Sequence, residues 1–293
     1  MSKTSNKLSR LISRIGRNNS WIKKTFLWPL WPKVFRPIYW KFNETLFRID
    51  GRAYFNANAK RVEFVANLFC DEESKKTFRG IINSRQIHKK INFIYHGSNT
   101  QYFINDFFTY GKNEVFIDCG AYDGDTIENF LKLQNMGYDQ IIAFEPGMEN
   151  YKILENKFKG DKFLLINKGV YSKNTKLYFS ENNSGGEVSE IPTGMKNEME
   201  IDVMAIDSLT NIKKVTFIKM DIEGAEMDAL EGAKETILRD KPRLAICIYH
   251  SNEDMLRIAE WIYNLVPEYK FYCRHHSHVF IAETVLYAQI MEE

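Results

Sequence analysis

Acidic residues and a histidine stand in the sequence where short apolar runs end. Asp118, Glu145 and Asp221 each follow such a run directly, and His250 follows another after one intervening tyrosine. If these runs are parallel strands, their carboxyl ends meet at one edge of a sheet, where open α/β sheets bind ligands. The sequence therefore predicts one polar site assembled from the ends of four strands.

The first run leads into a glycine-containing segment, DCGAYDGDT, at residues 118–126. Gly120 lets a ligand approach the backbone closely, and the helix that follows offers unpaired N–H groups. Gly120 and Gly124 are four residues apart, so the GxGxxG pattern of dinucleotide sites is absent. Asp118 and Asp125 add negative charge, which suits a cationic or amino-bearing ligand better than a diphosphate. The alternative is a structural turn that only caps the helix.

Glu145 ends the second run, 25 residues after Gly120. An acidic residue at about this offset accepts hydrogen bonds from the ribose hydroxyls of adenosine-containing cofactors. The alternative is a surface glutamate before Pro146 that binds nothing. The position at a strand end favours the cofactor interpretation.

The segment KMDIEGAE at residues 219–226 brings three carboxylates, Asp221, Glu223 and Glu226, to the end of one strand. Such crowding raises the pKa of at least one of them unless a cation or a donor intervenes. The cluster can orient a substrate amine or hydroxyl, act as a base, or bind Mg²⁺ through oxygen atoms. Glu226 lies in the first turn of a predicted helix, so favouring the helix dipole is its alternative role.

His250 is a candidate general base, because the pKa of a histidine is near neutral. A purely structural histidine is the alternative. His275, His276 and His278 lie near the end of the sequence. They are candidates for lining the same cleft or binding a metal, although no HxxxH pair supports a metal.

The apolar runs between residues 115 and 248 lack alternation and are separated by helical patterns. This order predicts an α/β fold with a mostly parallel sheet and helices on both faces. Residues 270–273 and 285–288 are expected to form a closing antiparallel pair. Residues 181–200, rich in Asn, Ser, Gly and Glu, are predicted to be a mobile loop over the acceptor.

A chain of 293 residues suggests about two domains, or one α/β domain with an extension. We divide it into a basic, tryptophan-bearing extension at 1–42, a helical subdomain at 43–100 and an α/β domain at 101–293. Residues 1–41 contain ten Lys and Arg and no acidic residue, so the rest of the chain carries a net charge of −8. An acidic body argues against nucleic acid as a partner.

Residues 1–18 have the pattern of a short basic helix, with Leu8, Leu11, Ile12 and Ile15 on one face. Basic and apolar faces followed by tryptophans suit peripheral contact of residues 1–41 with an anionic membrane surface. The alternative is an extension that packs on the body or contacts a second copy in a homo-oligomer.

No apolar run is long enough to span a membrane. The four cysteines form no CxxC pair, which fits a reducing compartment. We therefore expect a cytoplasmic protein, with the inner face of the membrane as a place of peripheral contact.

Five motifs together resemble the FkbM-type methyltransferases, over roughly residues 100–290. They are DCGAYDGDT (118–126), AFEP (143–146), NKGVYS (167–172), KMDIEGAE (219–226) and ETVLYA (283–288). The resemblance implies a Rossmann-like class I methyltransferase fold with a seven-stranded sheet. It also implies S-adenosylmethionine as the cofactor and methyl transfer to a hydroxyl group.

The resemblance also implies roles for individual residues. The glycine turn should hold the methionine part of the cofactor, Glu145 the ribose, and residues 168–170 should lie near the adenine. The cofactor-binding set is then Asp118, Gly120, Ala121, Tyr122, Asp125, Thr126, Glu145, Pro146, Lys168, Gly169 and Val170. Asp221, Glu223 and His250 should face the acceptor as the catalytic set.

We expect O-methyl transfer to a sugar, either a nucleotide sugar or a surface-glycan precursor. His250 is the expected base, with Asp221 or Glu223 orienting the acceptor. Mg²⁺ on Asp221 and Glu223 is the alternative means of acidifying the hydroxyl. An NAD-dependent dehydrogenase would need the missing GxGxxG pattern. A non-catalytic Rossmann-like scaffold at a membrane is the other alternative, and the intact glycine turn and carboxylates disfavour it.

Overall fold

The computed structural model describes residues 51–87, 94–97, 101–133, 137–182, 185–189, 192, 199–278 and 282–291. The predicted extension at 1–42 lies outside the described residues. The described parts of 50–180 and 186–293 belong to one compact unit. The division into 43–100 and 101–293 stays a prediction.

Helices precede the first strand, and strands and helices then follow one another along the chain. The strands are β1 Glu114–Cys119, β2 Tyr138–Phe144, β3 Phe163–Ile166, β4 Gly169–Val170, β5 Thr175–Asn182, β6 Gly185–Ser189, β7 Met199–Met204, β8 Phe217–Met220, β9 Arg243–Cys247, β10 Lys270–His275 and β11 Thr284–Gln289. The helices are α1 Gly51–Ala57, α2 Ala59–Leu68, α3 Glu72–Ile87, α4 Asp125–Leu133, α5 Met148–Lys157, α6 Glu226–Glu231, α7 Lys234–Asp240 and α8 Asp254–Leu265.

Seven strands form the central sheet in the order β10-β11-β9-β8-β1-β2-β3. The neighbours from β9 to β3 run parallel, whereas β11 is antiparallel to both β9 and β10. The predicted α/β fold with a mostly parallel sheet and a closing antiparallel pair is confirmed.

The central strands are apolar on both faces because helices cover both. In β1, Val115 and Ile117 pack in one core cluster and Phe116 packs in the other. Residues of α6, α7 and α8 contribute to the first cluster, and residues of α4 and α5 to the second. This two-sided burial explains why the strands read as continuous apolar runs.

In the described residues before β1, three helices lie where the helical pattern of this region predicts them. The break before α3 is capped by Asp71, whose Oδ1 accepts a hydrogen bond from the backbone N–H of Ser74 at 2.6 Å. Phe69 forms an isolated bridge with Phe271 of β10, and both side chains belong to the core cluster shared with the sheet. The helices therefore border the β10 edge of the sheet.

Residues 226–239 have a helical pattern that predicts one helix beginning at Glu226, but the structure interrupts it. α6 ends at Glu231 and α7 begins at Lys234, with Gly232 between them. A Cβ on Gly232 would lie 2.1 Å from the carbonyl oxygen of Tyr171. The backbone of another segment thus occupies the space that a side chain would need, and a glycine marks the break.

Residues 181–200 differ from the predicted loop. They include the end of β5, β6 and the start of β7, which belong to a four-stranded sheet of order β4-β7-β5-β6. β5 and β7 pair antiparallel, with Leu177 opposite Ile201. Composition alone indicated a loop, but Met199 and Glu200 pair with Phe179 and Tyr178, about twenty residues earlier in the chain, and backbone pairing of this kind makes a strand.

Within the described ranges, we find no helix with the length and apolar character that crossing a membrane requires.

Candidate active site

The glycine turn after β1 folds across the ends of both neighbouring strands. The N–H groups of Gly120 and Ala121 donate to the carbonyl oxygen of Phe144 at 3.1 and 2.9 Å. Gly120 has a φ of +81°, and a Cβ there would lie 2.3 Å from the carbonyl oxygen of Asp221. Only glycine satisfies both the backbone angle and this close approach.

Beneath the turn, Asp118 and Lys219 form a buried ion pair with 3.0 Å between Oδ1 and Nζ. The Lys219 ammonium also donates to the carbonyl oxygen of Gly120 at 2.8 Å. Burial raises the pKa of the Asp118 carboxyl, although Lys219 opposes this effect. The pair ties the turn to β8. Its side chains are shielded from solvent, so a direct cofactor contact by the Asp118 carboxylate stays a prediction.

The Glu145 carboxylate lies at the end of β2 and faces the turn. Its Oε2 accepts a hydrogen bond from the N–H of Tyr122 at 2.9 Å, and its Oε1 accepts one from the N–H of Gly147 at 2.8 Å. Burial raises the pKa of Glu145 against these two donors. A carboxylate has about four lone-pair positions, and the Asn150 side chain is a third donor, so Glu145 retains capacity for one further donor such as a ribose hydroxyl.

Residues 168–170 lie beside the turn formed by Glu145 and Pro146. The Asn167 side-chain amide donates to the carbonyl oxygens of Glu145 and Pro146 at 2.9 and 3.2 Å. Gly169 then begins β4. The three predicted adenine-side residues therefore follow directly after an anchor on the Glu145–Pro146 turn. Their contact with a cofactor stays a prediction.

The remaining turn residues combine exposure with capping. Tyr122 is 49% exposed and has a φ of +49°. Asp125 accepts a hydrogen bond from the N–H of Thr126 at 2.7 Å, at the start of α4. This part of the turn therefore caps α4, as the structural interpretation expects. The exposed side chain of Tyr122 lies beside Glu145.

Asp221 ends β8 and lies between two tyrosine hydroxyls. Tyr102 donates to Oδ2 at 2.7 Å, and Tyr249 donates to Oδ1 at 3.1 Å. Burial alone would raise the pKa of Asp221, but Lys219, His250 and these hydroxyls hold it below its usual value. Asp221 is therefore a carboxylate at neutral pH, as a residue that orients a hydroxyl group has to be.

His250 lies among three carboxylates, two of which face its Nε2. Nε2 is 3.6 Å from Oδ1 of Asp221 and 3.9 Å from Oε2 of Glu223, and Nδ1 is 3.1 Å from Oε1 of Glu226. Burial alone would lower the pKa of His250, but Glu226, Asp221 and Glu223 together raise it to about 9. At neutral pH the side chain is therefore an imidazolium, with a proton on each ring nitrogen. To act as the predicted base it has to lose one of these protons first.

Glu226 contributes more than a favourable charge at a helix start. Its side chain is fully buried, and its Oε1 accepts a hydrogen bond from the N–H of Ile222 at 2.8 Å. Gly224, with a φ of +102°, makes the turn between Ile222 and the helix. From the sequence, Glu226 was assigned either to the carboxylate cluster or to a favourable interaction with the helix dipole. Its contact with His250 was not predicted. The signal was its place in the motif KMDIEGAE.

Glu283 is a further acidic residue of the site that sequence reasoning left without a role. Gln101 donates through Nε2 to Oε2 of Glu283 at 2.5 Å and to the hydroxyl oxygen of Tyr102 at 2.9 Å. Burial and the nearby Asp221 raise the pKa of Glu283 to about 7. Its motif, ETVLYA, was part of the family resemblance. Because β11 is antiparallel, the start of this strand lies at the active-site edge.

The three histidines near the end of the chain do not join this cluster. His275 contacts the Thr284 hydroxyl at 2.8 Å, His276 contacts the Tyr287 hydroxyl at 2.7 Å, and His278 stacks on Tyr95. Burial lowers the pKa of His276 to about 4. Across the described ranges, the group with metal-binding geometry is instead Asp221, Glu226 and His250.

The carboxyl edge of the sheet therefore has two adjacent parts. One is a glycine turn with a carboxylate suited to a ribose, and the other is a cluster of carboxylates, tyrosines and a histidine suited to a polar acceptor. A mostly parallel seven-stranded sheet with one antiparallel strand defines a Rossmann-like class I methyltransferase fold.

The family described as Methyltransferase FkbM domain matches residues 118–273, which is just over half of the chain. The chain therefore belongs to the FkbM methyltransferase family. The match contains every residue of the predicted cofactor-binding and catalytic sets, so the family assignment and the geometry concern the same part of the molecule.

Two relatives extend this comparison. The chain is 24% identical over 148 residues to the 2-O-methyltransferase NoeI of Sinorhizobium fredii, covering 43% of this chain and 60% of that protein. A crystal structure of methyltransferase FkbM from Methylobacillus flagellatus superposes with a TM-score of 0.70 at 25% identity, covering 82% of this chain. The match spans 60% of that chain as well.

Proposed function

We propose that this protein transfers the methyl group of S-adenosylmethionine to a hydroxyl group of a sugar, either a nucleotide sugar or a surface-glycan precursor. The observation that carries the proposal is the adjacency of two features at one sheet edge. The Gly120 turn and Glu145 lie beside the cluster around Asp221 and His250. The family and the relative NoeI, a 2-O-methyltransferase by name, support O-methyl transfer.

The residues fit the cofactor. Gly120 keeps the backbone accessible where any Cβ would collide with the end of β8. Glu145 retains acceptor capacity for a ribose hydroxyl beside its hydrogen bonds from Tyr122, Gly147 and Asn150. When bound, S-adenosylmethionine supplies a methyl group already activated by the sulfonium, so the protein has to align the groups and to manage the proton of the acceptor.

A hydroxyl group is a weak nucleophile until its proton begins to leave. His250 is the proposed proton acceptor, with Asp221 or Glu223 orienting the acceptor. The pKa of about 9 follows from the surrounding carboxylates. Any positive charge that enters the cluster lowers this pKa and releases the proton of the imidazole. Proton acceptance by His250 is therefore coupled to what else binds at the cluster.

A sugar is the favoured acceptor because the cluster is rich in groups that bind hydroxyls. Tyr102, Tyr249 and Asp221 form a hydrogen-bonded chain, and the exposed carboxylate of Glu223 lies beside them. Each of these groups accepts or donates hydrogen bonds. A polar molecule with several hydroxyls pairs with such a surface better than an apolar acceptor does.

The proposal includes a place in the cell. The ten Lys and Arg of residues 1–41 suit peripheral contact with an anionic membrane. We place the protein in the cytoplasm because its four cysteines form no CxxC pair. Residues 1–42, 43–100 and 101–293 are its three proposed parts. A glycan precursor assembled near a membrane is an acceptor that such contact would bring within reach.

Calorimetric titration of the purified chain with S-adenosylmethionine tests the proposal, with Glu145→Ala as the paired variant. Saturable binding that the variant loses, while its thermal unfolding stays cooperative, supports the cofactor site. Folded wild-type protein that binds nothing contradicts it and favours the scaffold alternative. Transfer of a labelled methyl group to a panel of nucleotide sugars then tests the acceptor class.

A further inference from the structure

A compact group of buried ligating atoms lies at the ends of β8 and β9. One side-chain atom each of Asp221, Glu226 and His250 lies within 4.8 Å of the other two. The two closest contacts use different ring nitrogens, of which one alone would bind the ion: Nε2 of His250 lies 3.6 Å from Oδ1 of Asp221, and Nδ1 lies 3.1 Å from Oε1 of Glu226. Ligands bound about 2.1 Å from one ion lie up to about 4.2 Å apart. Small side-chain rotations therefore bring the three groups around a single ion.

Two of these side chains are buried without aligned hydrogen bonds. Oε2 of Glu226 and Nε2 of His250 have no hydrogen-bond partner among the described residues, and Nδ1 of His250 has only the poorly aligned 3.1 Å contact with Oε1 of Glu226. Glu226 is fully buried, and the His250 side chain is only 10% exposed. A buried polar group left unsatisfied costs about 1–3 kcal/mol, and more when it is charged. These atoms point to a ligand that satisfies them.

The charges indicate the sign of that ligand. Asp221, Glu223 and Glu226 converge on the single imidazole of His250. The ammonium group of Lys219, which also acts on Asp221, is already paired with Asp118. Even with the imidazole protonated, carboxylates outnumber cations in the cluster. A second positive charge is needed to balance buried carboxylates.

We propose that Asp221, Glu226 and His250 bind a divalent transition-metal cation of the Mn²⁺, Fe²⁺ or Zn²⁺ class. Mg²⁺ prefers a shell made only of oxygen, whereas an imidazole ligand favours the transition metals. This ligand set differs from the pair Asp221 and Glu223 that the sequence indicates. Glu223 has a side chain that is 72% exposed, whereas that of Glu226 is shielded from solvent.

The site binds its cation independently of any methyl transfer. Only the consequence for catalysis rests on the proposed function. A cation at the ends of β8 and β9 lies in the acceptor part of the edge, and a bound cation lowers the pKa of an oxygen that it contacts. A metal-bound neutral imidazole has no free lone pair, so in the metal-bound state the cation would take over from His250 the activation of the acceptor hydroxyl.

The test uses the full chain, dialysed against EDTA and then against metal-free buffer, with Mn²⁺ as the probe. Electron paramagnetic resonance of free Mn²⁺ gives the number of sites and the affinity. We expect one site per chain. Glu226→Gln and His250→Gln should weaken Mn²⁺ binding by about tenfold or more. Glu128→Gln changes an exposed carboxylate on α4 and should leave the affinity within about twofold.

A spectroscopic measurement on the wild type keeps the proposal testable if a variant fails to fold. Bound Mn²⁺ should show nitrogen hyperfine coupling from an imidazole ligand, and this coupling should be lost in His250→Gln. Persistence of the coupling in that variant assigns the nitrogen to another histidine and overturns the ligand set. Glu223→Gln distinguishes the two sets of ligands, because a loss of affinity as large as in Glu226→Gln would contradict the structural one.

Three further outcomes overturn the proposal. They are wild-type Mn²⁺ binding no tighter than about 1 mM, absence of nitrogen coupling, and displacement of Mn²⁺ by an equal concentration of Mg²⁺. S-adenosylhomocysteine binding is measured on the same samples. If the chain binds S-adenosylhomocysteine but no Mn²⁺, only the metal proposal is contradicted. A chain that binds Mn²⁺ but no S-adenosylhomocysteine contradicts the methyltransferase proposal alone.

Discussion

The Nζ atom of Lys219 lies 3.0 Å from Oδ1 of Asp118, and both side chains are almost completely shielded from solvent. The two residues are directly opposite each other in the register of β8 and β1. Because Lys219 also donates to the carbonyl oxygens of Cys119 and Gly120, one ammonium group fixes the start of the glycine turn.

Lys219→Met should destabilise the fold strongly. It leaves the Asp118 carboxyl buried without a cation, and breaking a buried pair in this way costs about 3–5 kcal/mol. Urea unfolding of the wild type and the variant measures the difference. The double variant Asp118→Asn with Lys219→Met should recover at least half of the loss. A single variant within about 1 kcal/mol of the wild type would show that the pair contributes little.

Gly120→Ala should cost more stability than Gly160→Ala. Both glycines have positive φ angles, but a Cβ on Gly160 meets nothing within 4 Å, whereas one on Gly120 meets the backbone of Asp221. The backbone angle alone costs an L-residue about 1–2 kcal/mol. We expect Gly160→Ala to lose about that amount and Gly120→Ala to lose several kcal/mol more. If chemical denaturation shows equal losses of unfolding free energy for the two variants, the end of β8 moves easily to make room for a Cβ at residue 120.

Glu283→Gln should change how stability depends on pH. The pKa of Glu283 is raised from 4.5 to about 7 by burial and by Asp221, with Glu223 adding to the effect and Gln101 and His250 opposing it. Between these values the folded chain keeps a proton that the unfolded chain has released. The stability of the wild type therefore falls as the pH rises through this window.

The glutamine variant lacks this dependence. Relative to the wild type it should gain up to about 3 kcal/mol between about pH 4.5 and pH 7. Melting temperatures of both proteins, dialysed against EDTA, measure the change, because a cation beside Asp221 would itself lower the pKa of Glu283. If the melting temperatures of the two proteins change with pH in the same way across this range, the pKa of Glu283 is not raised.

A single thiol per chain should react quickly with a disulfide reagent in the native state. Cys70 is exposed, whereas Cys119, Cys247 and Cys273 are buried. Burial raises the pKa of each of these three thiols, which suppresses the reactive thiolate. Four thiols should react after denaturation. The variant Cys70→Ser should abolish the fast phase, and a fast phase that persists would mean that β1, β9 or β10, which carry the buried thiols, opens readily.

Much of the cofactor half of the site is predictable from the sequence. Gly120 and Glu145 each follow an apolar run closely, and a run that is buried on both faces can be recognised without knowing its neighbours. The parallel order of such strands brings their ends to one edge. Local sequence therefore determined the strand ends, the glycine turn and the identity of the acidic residue after β2.

The interior of helix 226–239 and the segment 181–200 were harder to predict. Gly232 interrupts the helix because the backbone of Tyr171 packs against it. Residues 199–204 form a strand because Thr175–Phe179 lies alongside. In both places the deciding contact comes from a distant segment. Local composition does not encode where that segment runs.

The acceptor half depends most on the tertiary structure. The sequence by itself determined that Asp221 and His250 end neighbouring strands, since each follows its own apolar run. Only the tertiary structure decided that Glu226 turns inward to His250, and that the antiparallel direction of β11 brings Glu283 to the same edge. The proton on His250 was decided in the same way, because its pKa depends on distances to three carboxylates, and Coulomb interactions depend on separation in space and on burial, not on separation along the chain.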